Sequence, residues 1–247
     1  MNKLKLSEIT KEKDFLKIDK ENYKVIFTNA ELGRSFNRNT EEGVSQLNSL
    51  KGEFNADEII YLKQVHSDKI LKYSKDDLIS IKDNEGDAII TNEKNVIIGV
   101  FTADCVPVIL VDKVKKVSGA IHSGWKGTFA SITYKTIKRM ESEFNCSPSD
   151  IEVYIGPHIR KCCYEVSKEL KEKFINEKRD ILKSVLFSER NLNLECCILN
   201  DLKKAGVNSE NVNVLDLCTY CSDTVKLHSY RKSNGSYGRM FSFIILN

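Results

Sequence analysis

Residues 98–127 read IGVFTADCVPVILVDKVKKVSGAIHSGWKG. β-branched and other apolar residues fill most of this stretch, which predicts buried strands rather than helix. Set within it are Thr102, Asp104, Cys105, His122, Ser123 and Lys126. Polar side chains in a dry sheet are costly unless they are satisfied or used. Gly119, Gly124 and Gly127 surround the histidine and permit a turn or a close approach there. The stretch therefore reads as the floor of an active site, with strands expected over residues 96–103, 106–111 and 117–122.

On its N-terminal side, Tyr23–Thr28 is expected to be the first strand. Thr40 can cap a helix that carries Val44, Leu47, Leu50 and Phe54. A strand over 59–65 ends at Gln64-Val65-His66, with a short neighbour over 69–73. Asp83-Asn84-Glu85-Gly86 is turn chemistry, and a strand over 87–91 follows. Strands in such quick succession suggest antiparallel or mixed pairing.

On the C-terminal side, Phe129, Ile132, Ile137, Met140 and Phe144 give an apolar stripe to a helix over 128–144. A strand over 151–155 leads into Gly156-Pro157. Ser167 caps a helix with Leu170 and Phe174 facing inward, and residues 178–189 read as a charged surface excursion. Leu194, Ile198, Leu202 and Ala205 mark a helix that Gly206 ends, and late strands lie over 212–215 and 240–246. Helices and strands do not alternate strictly. The expectation is an α+β fold: one domain over residues 1–247, with a mixed β-sheet core and flanking helices.

The 247 residues are 41% hydrophobic, enough to bury a sizeable core. The net charge is only +3 and the basic residues are scattered, which argues against nucleic acid or a membrane surface as partner. No apolar run is long enough to span a bilayer, and the N-terminal MNKLKLSEITKEKDF has no export-type apolar core. A cytoplasmic location is expected, with the eight cysteines mostly reduced.

Only four histidines are present: His66, His122, His158 and His228. His66, Cys105 and His122 together make a ligand set of the catalytic zinc type, with a fourth position left for water or substrate. They are distant in sequence, and a buried Cys is more often core filler. The same residues also suit a thiolate–imidazolium pair of Cys105 and His122, with Asp104 or another polar group orienting the ring. Cys218-Thr-Tyr-Cys221 is a single CxxC without a second to complete a zinc ribbon. The doublets Cys162-Cys163 and Cys196-Cys197 are not spaced as chelates, so core filling is the expected role of these cysteines. Arg231 and Arg239 lie in a basic stretch over 229–239 that could clamp a phosphate or carboxylate, or simply be a solvated turn. Neither a phosphate-cradling P-loop nor a dinucleotide fingerprint is present.

Taken in order, Gln64-Val65-His66, Gly86-Asp87-Ala88, Thr102-Ala-Asp-Cys-Val-Pro107, His122-Ser-Gly-Trp-Lys-Gly127, Ile155-Gly-Pro157, Tyr164-Glu-Val166, Cys218-Thr-Tyr220, Ser229-Tyr-Arg231 and Gly238-Arg239-Met240 resemble the YfiH-type family. Its members have been called laccase-domain or multicopper polyphenol oxidase proteins and, more recently, purine nucleoside phosphorylases. The resemblance implies a fold related to the deamidase domain of cytotoxic necrotizing factor toxins. It implies one catalytic zinc on His66, Cys105 and His122, and no organic cofactor. The implied substrates are phosphate and the nucleosides adenosine, inosine, guanosine and 5′-methylthioadenosine, with deamination of adenosine as a further activity. Lys126, Arg231 and Arg239 are then the candidates for phosphate contacts, and Asp104 or Asp87 for a proton carrier. Departures are Ser123 and Lys126 where the family carries Ala and Arg, Ser233 where an acidic residue often stands, and a shortened segment over 29–48. Two rival expectations are a copper phenol oxidase, for which four histidines are too few in multicopper form although copper could occupy the same site, and a cysteine amidase editing cell-wall precursor peptides through Cys105 and His122. A non-enzymatic binding module ranks last, since a buried polar floor suits it poorly.

Overall fold

In the computed structural model, which describes residues 2–4, 8–76, 81–236 and 238–247, the stretch over 96–123 forms three strands that divide between two sheets. Strands β1 (Asn2–Leu4), β2 (Thr10–Glu12), β3 (Phe15–Lys20) and β4 (Tyr23–Thr28) precede helix α1 (Glu41–Phe54). There follow β5 (Glu58–Ile60), β6 (Ile70–Lys72), β7 (Ala88–Thr91), β8 (Val96–Thr102), β9 (Val106–Asp112) and β10 (Val117–Ser123). Helices α2 (Trp125–Phe129) and α3 (Ile132–Phe144) lead to β11 (Ile151–Ile155), α4 (Lys168–Glu177) and α5 (Lys183–Leu186). The short pair β12 (Phe187–Ser188) and β13 (Asn191–Leu192), helix α6 (Leu194–Ala205), β14 (Val212–Leu215) and β15 (Met240–Leu246) complete the chain. Tyr237, within the C-terminal basic stretch, lies outside the described residues.

One sheet has the order β1-β14-β11-β9-β10-β7-β6 and the other β2-β3-β4-β15-β8-β5; both mix parallel and antiparallel pairs. The α+β expectation holds. The expected pairing of successive strands holds for β9 with β10 but not for β8 with β9, which belong to different sheets. The link Ala103-Asp104-Cys105 is where the chain crosses between them, so Cys105 stands on that crossing and not inside a strand.

Period-two alternation sorts the side chains into layers. Ile98 and Val100 of β8, Ile109 and Val111 of β9, Ala120 of β10 and Ile244 of β15 fill the space between the sheets. Val108, Leu110 and Ile121 face the opposite way, onto Ile132, Ile137 and Met140 of α3 and Ile198 and Leu202 of α6. Ile97, Phe101, Phe241 and Phe243 line the outer face of the second sheet against Leu47 and Leu50 of α1. Strands buried on both faces explain why the segments 96–101, 106–111 and 117–121 are each almost wholly apolar.

Several local expectations hold in detail. Thr40 Oγ1 accepts from Gly43 N at 3.1 Å, Ser167 caps α4 through Leu170 N, and Gly206 ends α6 at φ 96°. Others are corrected. Tyr23–Thr28 is preceded by three strands. The strand over 59–65 stops at Ile60, because Gln64 takes Phe101 O and Phe101 N through its own amide (2.8 and 2.7 Å) in place of a ladder. The helix over 128–144 is broken at Ser131, which sits at φ 57°, its hydroxyl held by the buried Lys178 ammonium at 2.7 Å. Residues 178–189 are thus not a simple excursion: Lys178, Leu186 and Phe187 are buried.

Candidate metal centre

At the end of the inter-sheet space the strands present their polar residues together. His122 shares a face of β10 with Ser118 and Ala120, and Asp87 precedes Ala88 at the matching end of β7. His122 Nδ1 lies 2.8 Å from Asp87 Oδ1, and both residues are buried. The same carboxylate accepts from the backbone N–H of Val65 (3.3 Å), His66 (3.0 Å) and Ser67 (2.6 Å), and from the Ser67 hydroxyl (2.7 Å). His66 stands at φ 58°, a left-handed conformation uncommon for a side-chain-bearing residue. The three amides converging on Asp87 hold that loop in place, so one carboxylate orients both imidazoles. Burial would raise the Asp87 pKa, but the His122 and Ser67 partners hold it below its ordinary value.

Cys105 closes the group. Its Sγ lies 3.7 Å from His66 Nε2, the two imidazole rings stand edge to face at 4.8 Å between centroids, and one donor atom from each of His66, Cys105 and His122 falls within 4.8 Å of the others. Burial alone would push the Cys105 thiol up; the charge and hydrogen bond of His122, helped by His66, bring it down to about 6. Burial alone would push His122 down; the Cys105 thiolate and Asp87 carry it up to about 9. Without a metal these shifts favour a thiolate beside an imidazolium; once the imidazolium proton is released, the sulfur and the two imidazoles together offer a divalent-cation site. Gly124 is required beside it: a Cβ there would stand 2.8 Å from His66 Cδ2 and 3.0 Å from Cys105 Sγ.

The group opens onto a cavity of about 840 Å³, in the size range of small-molecule sites. Its lining carries five cations (Arg38, Lys63, Lys173, Arg231 and Arg239) against two carboxylates, Asp104 and Glu169, which favours an anionic ligand. Phe101, Trp125, Tyr164 and Tyr230 add flat apolar surface. The Arg231 guanidinium sits 5.2 Å from the Tyr164 ring centroid and donates to Glu165 O at 3.0 Å.

Of the residues singled out in the sequence, His66, Cys105, His122, Asp104, Arg231 and Arg239 are brought to this cavity. Lys126 is not among the lining residues: it is exposed on α2, its ammonium 5.7 Å from the Trp125 ring centroid. Asp104 faces the cavity with both oxygens engaged, by Thr219 Oγ1 at 2.6 Å and by Arg231 N at 2.9 Å. Asp87 is withdrawn behind His122. Asp104 thus fixes the Thr219 side chain and the Arg231 backbone, and Asp87 fixes His122 and the loop over residues 65–67. His158 and His228 lie elsewhere, bonded to Gly156 O and Arg34 O. Arg38, Lys63 and Lys173 were not visible as site residues in the sequence, where nothing in their spacing links them to the histidines, whereas Tyr230 stood inside the Ser229-Tyr-Arg231 motif. Trp125 and Tyr164 stood inside quoted motifs, and their position beside His122 and the basic loops was the available signal.

Comparisons with known proteins give the chain a family and agree with its fold. A family model described as "Multi-copper polyphenol oxidoreductase laccase" matches residues 22–247. A Clostridium acetobutylicum protein named purine nucleoside phosphorylase is 47% identical over 232 residues, covering 94% of this chain and 95% of the relative. An Aquifex aeolicus protein of the same name is 38% identical over 78% of this chain and 86% of its own length. The crystal structure of the Bacillus licheniformis hypothetical protein YfiH superposes with a TM-score of 0.86 at 25% identity, covering 96% of this chain and 97% of that one. YlmD from Geobacillus stearothermophilus shares the fold at a TM-score of 0.84 and 24% identity, covering 97% and 98%. Fold, ordered motifs and sequence identity agree, and the chain belongs to the multi-copper polyphenol oxidoreductase laccase family, the family of YfiH.

Proposed function

We propose that this protein is a zinc-dependent purine nucleoside phosphorylase that also deaminates adenosine. The observation that carries the reading is the convergence of His66, Cys105 and His122 at the wall of a cationic, aromatic-lined cavity. The names of its relatives supply the substrate class. Mixed nitrogen and sulfur donors suit zinc, which tolerates both and prefers neither planarity nor many oxygens. Copper could occupy the same three atoms in vitro. A multicopper oxidase needs many more imidazoles than four, and His158 and His228 are committed to backbone carbonyls away from the cavity.

Zinc held there supplies a Lewis acid at the cavity wall, suited to orienting phosphate or activating water. Phosphorolysis breaks the bond from the anomeric carbon to the purine nitrogen and forms one to a phosphate oxygen. The residues arrange for this. Arg231 and Arg239 bind the phosphate and neutralise its charge. Asp104 fixes the Arg231 backbone, and Tyr164 packs under its guanidinium, so the cation is preorganised. Trp125 and Tyr230 offer flat faces to the purine and exclude water from it. Asp87 holds the His122 tautomer with Nδ1 turned inward, which leaves Nε2 for the cavity side. Lys126, exposed on α2 and outside the cavity lining, is given no role in this reading.

Purified protein supplied with zinc, adenosine and phosphate is expected to release adenine and ribose 1-phosphate, and inosine from the deamination branch. Cys105→Ala should abolish both. Full activity in that variant contradicts the assignment.

The Cys105–His122–Asp87 array also has the form of a hydrolase nucleophile, base and orienting acid, with the thiol and imidazole shifted toward the ion pair. That reading leaves no task for His66, whose Nε2 lies 3.7 Å from the same sulfur. It predicts activity that survives chelation and an acyl group trapped on Cys105; the zinc reading predicts neither.

A further inference from the structure

The cysteines expected to be core filler fall into two groups in the fold. Cys197 is fully buried in α6 and does fill the core. Cys162, Cys163, Cys218 and Cys221 instead come together, with all four sulfur atoms within 4.8 Å of one another. We infer that these four cysteines form a second metal site, a tetrathiolate that takes zinc, separate from the His66–Cys105–His122 centre.

The geometry is that of a chelate rather than a disulfide. Zinc–sulfur bonds of about 2.3 Å in a tetrahedron place sulfurs roughly 3.8 Å apart. Cys162 Sγ and Cys221 Sγ are 3.7 Å apart, far beyond the bond length of about 2.05 Å, and all four cysteines are free thiols. A single disulfide would satisfy two sulfurs and leave the other two crowded together; one tetrahedral ion satisfies all four.

The backbone is built for this convergence. Cys218 and Cys221 flank a turn closed by Ser222 N to Cys218 O at 3.0 Å, so the CxxC spacing puts both thiols on one side. Cys162 and Cys163 lie on a second turn, closed by Cys163 N to Arg160 O at 2.9 Å. The two turns are laced together by His158 N to Leu217 O and Thr219 N to His158 O. Missing from the sequence was a second CxxC; the fold supplies its equivalent as an adjacent pair from another loop. Backbone N–H groups of Arg160, Cys221 and Tyr220 point at the Cys218 sulfur. Amides aimed at sulfur are the surroundings that a metal thiolate needs. Each thiol that coordinates gives its proton to solvent, and four thiolates with one divalent ion leave a net charge of −2.

The site also has a structural consequence. Cys163 is followed by Tyr164, which supports Arg231, and Cys218 is followed by Thr219, which bonds Asp104. An ion joining the two turns therefore ties together two parts of the cavity wall.

The test is the zinc content of the purified full-length protein, handled under reductant, beside two variants. C162S/C221S alters the two exposed cysteines, so folding should survive, and C105A removes a ligand of the other centre. The wild type is expected to hold two zinc ions per chain, and each variant one. Cobalt-substituted C105A should show the intense thiolate-to-metal absorption of a tetrathiolate, and C162S/C221S should lose it. The inference is overturned if C105A holds no zinc, if C162S/C221S holds as much as the wild type, or if the non-reduced wild type carries a disulfide among these cysteines. It is independent of the proposed activity. Failure of that activity with a zinc-loaded tetrathiolate, or the reverse, tells the two apart.

Discussion

Asp87 Oδ1 sits 2.8 Å from His122 Nδ1, while the two oxygens of the same carboxylate collect the amides of residues 65–67. The hydrogen bond joins the ends of two paired strands to the loop that carries the other imidazole. Asp87→Asn keeps the shape but weakens the acceptor and removes the charge. Metal affinity should fall roughly 10- to 100-fold, measured by chelator competition. Asp87→Ala leaves His122 and three amides without their acceptor and should lower stability by roughly 3–5 kcal/mol in urea unfolding.

Metal binding should depend on pH in a defined way. The folded-state pKa of His122, about 9, keeps its ring protonated at neutrality, whereas Cys105, at about 6, is already a thiolate. Binding between those values must displace the imidazolium proton. Affinity, corrected for the chelator's own protonation, should rise about tenfold per pH unit from 6 to 9 and level off above. Below 6 the thiol must also ionise and the slope should steepen. A flat profile from pH 7 to 9 would contradict the assigned ligands.

Gly124 precedes α2 at φ −71° and ψ 176°, angles that alanine adopts without strain. Its methyl group would nonetheless press on His66 and Cys105. Gly124→Ala should therefore weaken metal binding at least tenfold while leaving the melting temperature of the metal-free protein nearly unchanged. Equal losses in both would mark the glycine as a fold requirement instead.

Much of the fold was legible because its signals are local. The caps at Thr40 and Ser167, the stop at Gly206 and the apolar stretch over 96–123 depend on neighbours in sequence. What was not legible depends on pairing at a distance. Nothing near Ser131 announces that Lys178 will hold a helix break there, and nothing in Thr102–Val106 announces that the chain changes sheets. The same division applies to the site. The ordered motifs led to His66, Cys105 and His122. Lys126 was favoured by its motif but stands exposed on α2, outside the cavity lining and beside Trp125. The meeting of Cys162 and Cys163 with Cys218 and Cys221 required the tertiary fold.

The two basic positions should separate cleanly in kinetics. Arg231→Ala removes a cation held in the cavity wall and should raise the KM for phosphate roughly 10- to 100-fold. Lys126→Ala, on the outside, should change it by less than about twofold. Equal effects would return Lys126 to the site.

The most direct measurement follows ribose 1-phosphate formation from adenosine and phosphate by metal-stripped protein as zinc is restored. The account predicts no turnover without the ion, recovery on its return, and no recovery in Cys105→Ala. Undiminished phosphorolysis by the stripped protein, or by that variant, would contradict it.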